Sequence, residues 1–110
     1  MAAALTDVPG SSQWFERGYV TYSNIAKQQD LRVQSTTLET QGAVSAATVV
    51  EMAAGALAVS GADLAVAVSG VAGPDGGTAA KPVGLVWFAL ASRTAPVHSE
   101  SLQFLSLIHI

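Results

Sequence analysis

The sequence predicts an α/β domain, and two apolar runs and one alanine-rich helix support that prediction. The runs at residues 64–68 and 83–90 lack a regular alternation of apolar and polar residues, which is typical of strands buried on both faces. Before the first of these runs, apolar residues recur at helical spacing over residues 46–60. With 110 residues, the chain is one domain at most.

Composition and charge exclude several classes of function. The net charge of −3 and five basic residues argue against nucleic-acid binding, which needs a basic patch. The absence of cysteine removes disulfides, thiolate metal ligands and cysteine nucleophiles, and suits a reducing cytoplasm. His98 and His109 have no neighbouring ligand pattern, and no apolar run is long enough to span a bilayer. We therefore expect a cytoplasmic protein without metal or cofactor, and without membrane or nucleic-acid partners.

The N-terminal part predicts a helix end, a turn and a short strand. Residues 1–5 resemble the last turn of a helix, and the Pro-Gly pair at 9–10 marks a turn. The bulky side chains of Trp14 and Phe15 are expected in the core. Residues 19–22 predict a strand because they are rich in β-branched and aromatic side chains.

A short helix is predicted over residues 24–31. Ser23 or Asn24 can cap it by accepting a hydrogen bond from a free first-turn amide. Lys27 then falls near the N-terminus, where the helix dipole disfavours a cation. This placement has two interpretations, a ligand-binding or catalytic lysine and an ordinary solvated lysine.

The longest helix is predicted between Ser45 as N-cap and Gly61 as terminator, after a connection at residues 38–42. We interpret this helix as structural. Its apolar face consists of Val49, Met52, Ala53, Ala56 and Leu57.

A glycine-dense loop connects the two apolar runs, and it has two interpretations of equal weight. Glycine lets a ligand approach the backbone closely, and clustered N–H groups can bind an anion. Because the glycines have no fixed spacing, the loop is equally well a long turn between strands. After a second turn at residues 92–96, residues 97–104 predict an antiparallel strand with His98 exposed.

Four segments, in this order, resemble one protein family over roughly residues 5–104. The family is the C-terminal domain of the competence/damage-inducible CinA proteins, together with their stand-alone bacterial relatives, the nicotinamide-nucleotide amidohydrolases. The segments are TDVPGSS at 6–12, GYVTYSNIAK at 18–27, GAVS at 42–45 and the glycine-rich stretch at 68–84.

The resemblance implies both a fold and a reaction. The fold is a three-layer α/β/α sandwich with a mixed sheet, incomplete in this chain, and the family's enzymes commonly form homo-oligomers. The reaction is hydrolysis of the carboxamide of nicotinamide mononucleotide to nicotinate mononucleotide and ammonia. In it a serine attacks, a lysine accepts the serine proton, and a tetrahedral oxyanion is stabilised.

The resemblance also assigns roles to individual residues. Lys27 matches the general base of the family's Tyr-Ser-Asn-x-x-Lys pattern, and Tyr22 matches the tyrosine that orients the site or shares a proton. Lys81 is either part of the site or a surface residue. The residues expected to bind the nucleotide are Asn24, Ser69, Gly70, Ala72, Gly73, Pro74, Gly76, Gly77 and Thr78.

Two departures from the family pattern affect what the chain is expected to do. The nucleophile belongs to a Glu-Ser-Cys-Thr-Gly-Gly motif, which in the family ends just before the point that matches Met1. Past Phe104 the family continues with a Gly-Asp-Arg segment and a helix. Here residues 105–110 follow, and they resemble translated read-through of a sequencing adapter. We therefore expect a partial domain over 1–104 and a non-native tail over 105–110.

The missing segments lead to two expectations for the isolated chain. A sandwich without a strand and two helices exposes sheet edge and apolar surface, so the chain should be poorly stable or aggregate. Without its nucleophile it should be inactive. The alternative function is a non-catalytic nucleotide-binding or interaction module, since CinA-type domains also occur fused to a second domain. An unclassified α/β fragment would require the four ordered segments to be coincidence.

Overall fold

A computed structural model describes residues 1–71 and 81–103. Helices occupy the first half of this range and strands the second, and one short 3-10 turn covers Ser11–Gln13. The helices are α1 (Ala2–Thr6), α2 (Asn24–Leu31), α3 (Ser35–Gln41) and α4 (Ala46–Ser60), and the strands are β1 (Leu64–Gly70), β2 (Leu85–Ser92) and β3 (His98–Gln103).

The three described strands form one sheet in the order β1-β2-β3, with both pairings antiparallel. Val66 lies opposite Leu90, and Val86 opposite Leu102, so these four side chains point to the same face. The strands predicted within residues 64–68, 83–90 and 97–104 are present, and His98 is exposed as expected. Helices together with this sheet confirm the α/β class, and the architecture is consistent with an incomplete α/β sandwich.

Helix α4 covers the other face of the sheet and forms the core with it. Ser45 caps α4 by accepting a hydrogen bond from the N–H of Thr48, and Gly61 ends the helix in the left-handed conformation, both as predicted. Small side chains at the interface allow the helix axis to approach the strands closely. The buried core residues are Leu31, Val33, Leu38, Val49, Met52, Ala53, Ala67, Ala89 and Ala91.

The prediction that β1 and β2 are buried on both faces holds only in part for the described residues. On the face opposite α4, Val86 is fully buried and Val68 and Phe88 are half-buried, whereas other apolar side chains are exposed. Leu64, Val66, Leu90 and Leu102 lie on the face opposite α4, and all four are exposed. Their apolar character produced the prediction, but among residues 1–71 and 81–103 no helix covers that face. We call these four side chains the open sheet face.

Three other sequence predictions differ from the structure. In the described residues, 19–22 form no strand, because this stretch pairs with none of the three strands there. Residues 38–42, predicted as a connection, mostly belong to α3. Trp14 is 54% exposed rather than buried, and its ring makes an edge-to-face contact with Phe15.

The described residues contain neither a candidate membrane-spanning helix nor a candidate metal site. None of their helices has the length and apolar character needed to cross a membrane. Their His, Asp and Glu side chains form no cluster of three that could hold a metal ion.

Candidate functional site

Lys27 is buried between its own helix and the preceding segment. Ser23 caps α2 by accepting a hydrogen bond from the N–H of Ala26, at 3.1 Å, so the helix begins as predicted. Lys27 is the fourth residue of α2 and is only 6% exposed. Its Nζ donates a hydrogen bond to the backbone carbonyl oxygen of Thr21, at 2.6 Å. Lys27 is therefore a buried lysine and not a solvated one.

Burial changes the acid–base chemistry of this amine. It lowers the pKa of Lys27, because removal from water disfavours the charged form. No salt bridge to Lys27 occurs within residues 1–71 and 81–103 that would counteract this effect. A larger fraction of the amine is thus neutral at a given pH than for a lysine in water. Neutral amine is the form that can accept a proton.

The lowered pKa predicts how stability depends on pH. Between the folded-state pKa and the ordinary value of 10.5, the unfolded chain binds the proton and the folded chain does not. The free energy of unfolding therefore rises with pH across that window. We expect this rise in urea unfolding of the protein and its absence in Lys27→Met. Parallel curves for the two proteins from neutral pH to pH 10.5 would contradict the prediction.

The other site residues predicted around Lys27 do not share its environment. Tyr22 is 87% exposed, although it follows Thr21 directly. Asn24 is exposed at the first position of α2. Their roles therefore stay predictions. Neither side chain contacts Lys27 through a hydrogen bond among the described residues.

The predicted nucleotide-binding segment is described only at its start. Ser69 is half-buried in β1 opposite Trp87, and Gly70 is the last, exposed residue of the strand. Helix α4 packs against both α2 and β1, so it connects the element that carries Lys27 with the strand that carries Ser69. The other predicted ligand-binding residues lie outside the described residues: Ala72, Gly73, Pro74, Gly76, Gly77 and Thr78.

A groove of about 410 Å³ lies between the start of α4 and strand β2. Ser45, Lys81 and Trp87 are among its lining residues. The Nζ of Lys81 donates a hydrogen bond to the carbonyl oxygen of Gln41 in the groove wall. Sequence reasoning identified the Gly-Ala-Val-Ser motif but not this groove, because Lys81 reaches it from a distant part of the chain.

Hydroxyl groups hold the Gly-Ala-Val-Ser motif in place at the edge of this groove. The hydroxyl of Thr48 donates to the carbonyl oxygen of Gly42 at 2.6 Å, and the hydroxyl of Ser45 donates to the same oxygen at 3.0 Å. Thr48 is fully buried. Since Gly42 has a φ of +78°, a left-handed value that favours glycine, the turn depends on that residue type. The motif therefore forms a fixed corner between α3 and α4.

The sequence profile of the CinA C-terminal domain matches residues 1–106. This chain belongs to the CinA C-terminal domain family. The match covers α1 through β3, so the four segments that suggested the resemblance all lie on one CinA domain.

Curated relatives of this CinA-family chain include named amidohydrolases. The nicotinamide-nucleotide amidohydrolase PncC of Enterobacter agglomerans is 57% identical over 104 residues, which is 94% of this chain and 63% of the relative. PncC of Escherichia coli is 60% identical over 92 residues, covering 84% of this chain and 56% of the relative. The chain thus spans 56–63% of the length of these two relatives.

Solved structures of CinA proteins have the same fold. The competence/damage-inducible protein CihA of Agrobacterium tumefaciens superimposes with a TM-score of 0.91 at 49% identity, over 96% of this chain and 64% of that protein. The competence damage-inducible protein A of Klebsiella pneumoniae gives a TM-score of 0.87 at 44% identity, over 94% of this chain and 63% of that protein.

Proposed function

We propose that this chain is the base-bearing part of a nicotinamide-nucleotide amidohydrolase. The observation that carries the proposal is Lys27, a buried lysine whose pKa is lowered and which has no salt bridge among the described residues. Buried lysines of this kind are suited to act as general bases. The PncC relatives, at 57% and 60% identity, support the same class of reaction.

In the proposed reaction, the neutral amine of Lys27 accepts the proton of a serine hydroxyl supplied by a segment outside these 110 residues. The serine oxygen forms a bond to the carboxamide carbon of nicotinamide mononucleotide, and the carbonyl oxygen becomes an oxyanion. The proton on Lys27 then passes to the leaving nitrogen, which departs as ammonia. Water hydrolyses the resulting ester and yields nicotinate mononucleotide.

The substrate is expected to bind along the glycine-rich segment that begins at Ser69 and Gly70. Backbone N–H groups in such a segment suit a phosphate group or the oxyanion. Tyr22 is proposed to reach the site only when substrate and the remaining segments are present, since it is exposed here. We further propose that the protein is cytoplasmic and homo-oligomeric, by analogy with the family.

A second candidate function is a non-catalytic nucleotide-binding or interaction module. It is favoured by relatives in which this domain is a small part of the chain. The CinA-like protein of Geotalea uraniireducens is 57% identical over 91 residues, which is only 22% of its length. In such a protein, the domain can act as a binding unit for a separate activity.

One experiment distinguishes the two candidates. The full-length protein is incubated with nicotinamide mononucleotide, ammonia release is measured, and binding is measured separately by calorimetry. Binding with ammonia release is the result expected for the amidohydrolase. Binding without ammonia release would favour the module, and nicotinamide riboside serves as a control that lacks the phosphate group. The absence of both nucleotide binding and ammonia release would contradict both candidates.

A further inference from the structure

Helix α2 ends in direct backbone contact with α4 at Gly55. A Cβ atom added at Gly55 would lie 1.7 Å from the carbonyl oxygen of Leu31 and 2.6 Å from its carbonyl carbon. Real Cβ atoms do not approach a neighbour this closely, and a backbone carbonyl cannot rotate away as a side chain can. The two helices can therefore keep this separation only while position 55 has no side chain.

The end of α2 that touches Gly55 is hydrogen-bonded to the backbone of Lys27. Arg32 follows Leu31 in the left-handed conformation, with φ +60°, which turns the chain back on the helix. As a result, the N–H of Val33 donates to the carbonyl oxygen of Lys27 at 3.2 Å. The N–H of Arg32 also points to that oxygen. A displacement of the helix end is therefore transmitted to Lys27 itself.

A second residue of α4 holds the chain immediately after this turn. Glu51 lies one helical turn before Gly55, on the same side of α4. One carboxylate oxygen of Glu51 accepts a hydrogen bond from the N–H of Gln34 at 2.8 Å, and the other accepts from the hydroxyl of Thr37 at 2.5 Å. Hydrogen bonds to a carboxylate are stronger than neutral ones. Glu51 thereby caps the start of α3 from a different helix.

We propose that Gly55 and Glu51 are positioning residues that keep the amine of Lys27 in its buried, hydrogen-bonded place. Gly55 sets the distance between α2 and α4, and Glu51 fixes the turn that leads from α2 into α3. This inference rests on the proposed function for its effect on turnover. In this proposal neither residue touches the substrate. Both act through the position of the helix that carries the base.

The decisive variant is Gly55→Ala in the full-length protein. The methyl group must push α2 away from α4, which moves the Lys27 amine relative to the reacting hydroxyl. We expect kcat to fall about 10–100-fold, in line with the cost of misplacing a catalytic group by about 1 Å, while KM changes less than about twofold. Ala54→Ser is the matched control, since it adds one heavy atom at the exposed neighbouring position on the same helix.

Glu51 provides an independent test through a conservative replacement. Glu51→Gln keeps an oxygen that accepts from the N–H of Gln34, and its amide can donate to the hydroxyl of Thr37. We expect Glu51→Ala to lose about tenfold in kcat and Glu51→Gln to retain most of the wild-type value. A role limited to the negative charge would make the two variants equally slow, which would overturn this part of the proposal.

A pH-dependent readout separates positioning from a general loss of stability. Burial is the cause of the lowered pKa of Lys27, and no charged group contributes to it among the described residues. If α2 moves outward, that pKa rises toward the ordinary lysine value. The ascending limb of the rate–pH profile of Gly55→Ala should then move to higher pH. A variant that is only less stable would keep the profile of the wild type.

Chemical labelling tests the inference without any turnover. The amine of Lys27 is acetylated with acetic anhydride across a pH series, and the labelled peptides are quantified by mass spectrometry. Lys81 is the internal reference, as the only other lysine in the chain. Gly55→Ala should shift the labelling midpoint of Lys27 upward and leave that of Lys81 in place.

The outcomes are distinguishable from a failure of the proposed function. If the wild type releases no ammonia, the amidohydrolase proposal fails, and the labelling series still decides whether α4 positions Lys27. If Gly55→Ala is folded and both its labelling midpoint and its kcat match the wild type, the positioning role is overturned. If Gly55→Ala does not fold, the comparison of Glu51→Ala with Glu51→Gln decides the proposal.

Discussion

Replacing Lys27 with methionine in the full-length protein is expected to lower kcat for amide hydrolysis by about 10²–10⁴-fold, the usual contribution of a general base. Methionine has a similar length but cannot accept a proton, so the serine hydroxyl loses its activation. The replacement also removes a buried amine that must be desolvated when charged. We therefore expect the melting temperature to stay the same or to rise at neutral pH, while ammonia release falls.

The control for this prediction is Gln29→Met, which places the same side chain on α2 at an exposed position. It should leave kcat within about twofold of the wild type, because Gln29 takes no part in the proposed proton transfer. A change of about twofold is far smaller than the contribution of a general base. Activity of Lys27→Met equal to that of Gln29→Met would contradict the role of Lys27. A parallel loss of activity and of the folded state would instead show that the amine is needed for folding.

Local sequence signals predicted the elements whose determinants lie within the element itself. Helix α4 was predicted with its Ser45 cap and its Gly61 terminator, since both act on the nearest backbone groups. Strands β1 and β2 were predicted for a similar reason, since their apolar runs are continuous, and β3 was predicted from the loose alternation of its residues. In each case a few neighbouring residues carry the information.

The elements that sequence reasoning missed depend on distant partners. Helix α3 is capped by Glu51, which lies 17 residues beyond Gln34 in the chain and gives no local signal. Residues 19–22 have strand-forming side chains but no strand to pair with in the described residues, so propensity alone gave the wrong prediction.

The same division between local signals and distant partners applies to the candidate site. Resemblance selected Lys27 by its position in a motif, whereas the sequence by itself favoured a solvated lysine. In the structure its amine donates to the carbonyl oxygen of Thr21, and its helix contacts α4 at Gly55. Neither is visible in the residues around Lys27. The chemistry of the amine is therefore a property of tertiary packing, while its identity is a property of the motif.

The open sheet face leads to a prediction with opposite results in the short chain and in the full-length protein. Val66 and Leu90 are cross-strand neighbours on this face, 45% and 43% exposed. In the 110-residue chain, Val66→Thr with Leu90→Thr should cost under about 1 kcal/mol, because little apolar area leaves a buried site. It should also reduce aggregation, since it breaks an exposed apolar patch.

In the full-length protein the same double variant is expected to cost about 3–5 kcal/mol in the free energy of unfolding, because two apolar side chains then leave a covered core. The expectation rests on the solved CinA proteins, of which this chain spans only 63–64%. The remaining third supplies chain enough for a covering layer on the sheet. Val59→Thr, 41% exposed on α4, measures the effect of the same chemical change away from the face. Equal costs of the double variant in urea unfolding of both proteins would show that the face stays open, and that α4 alone provides the core.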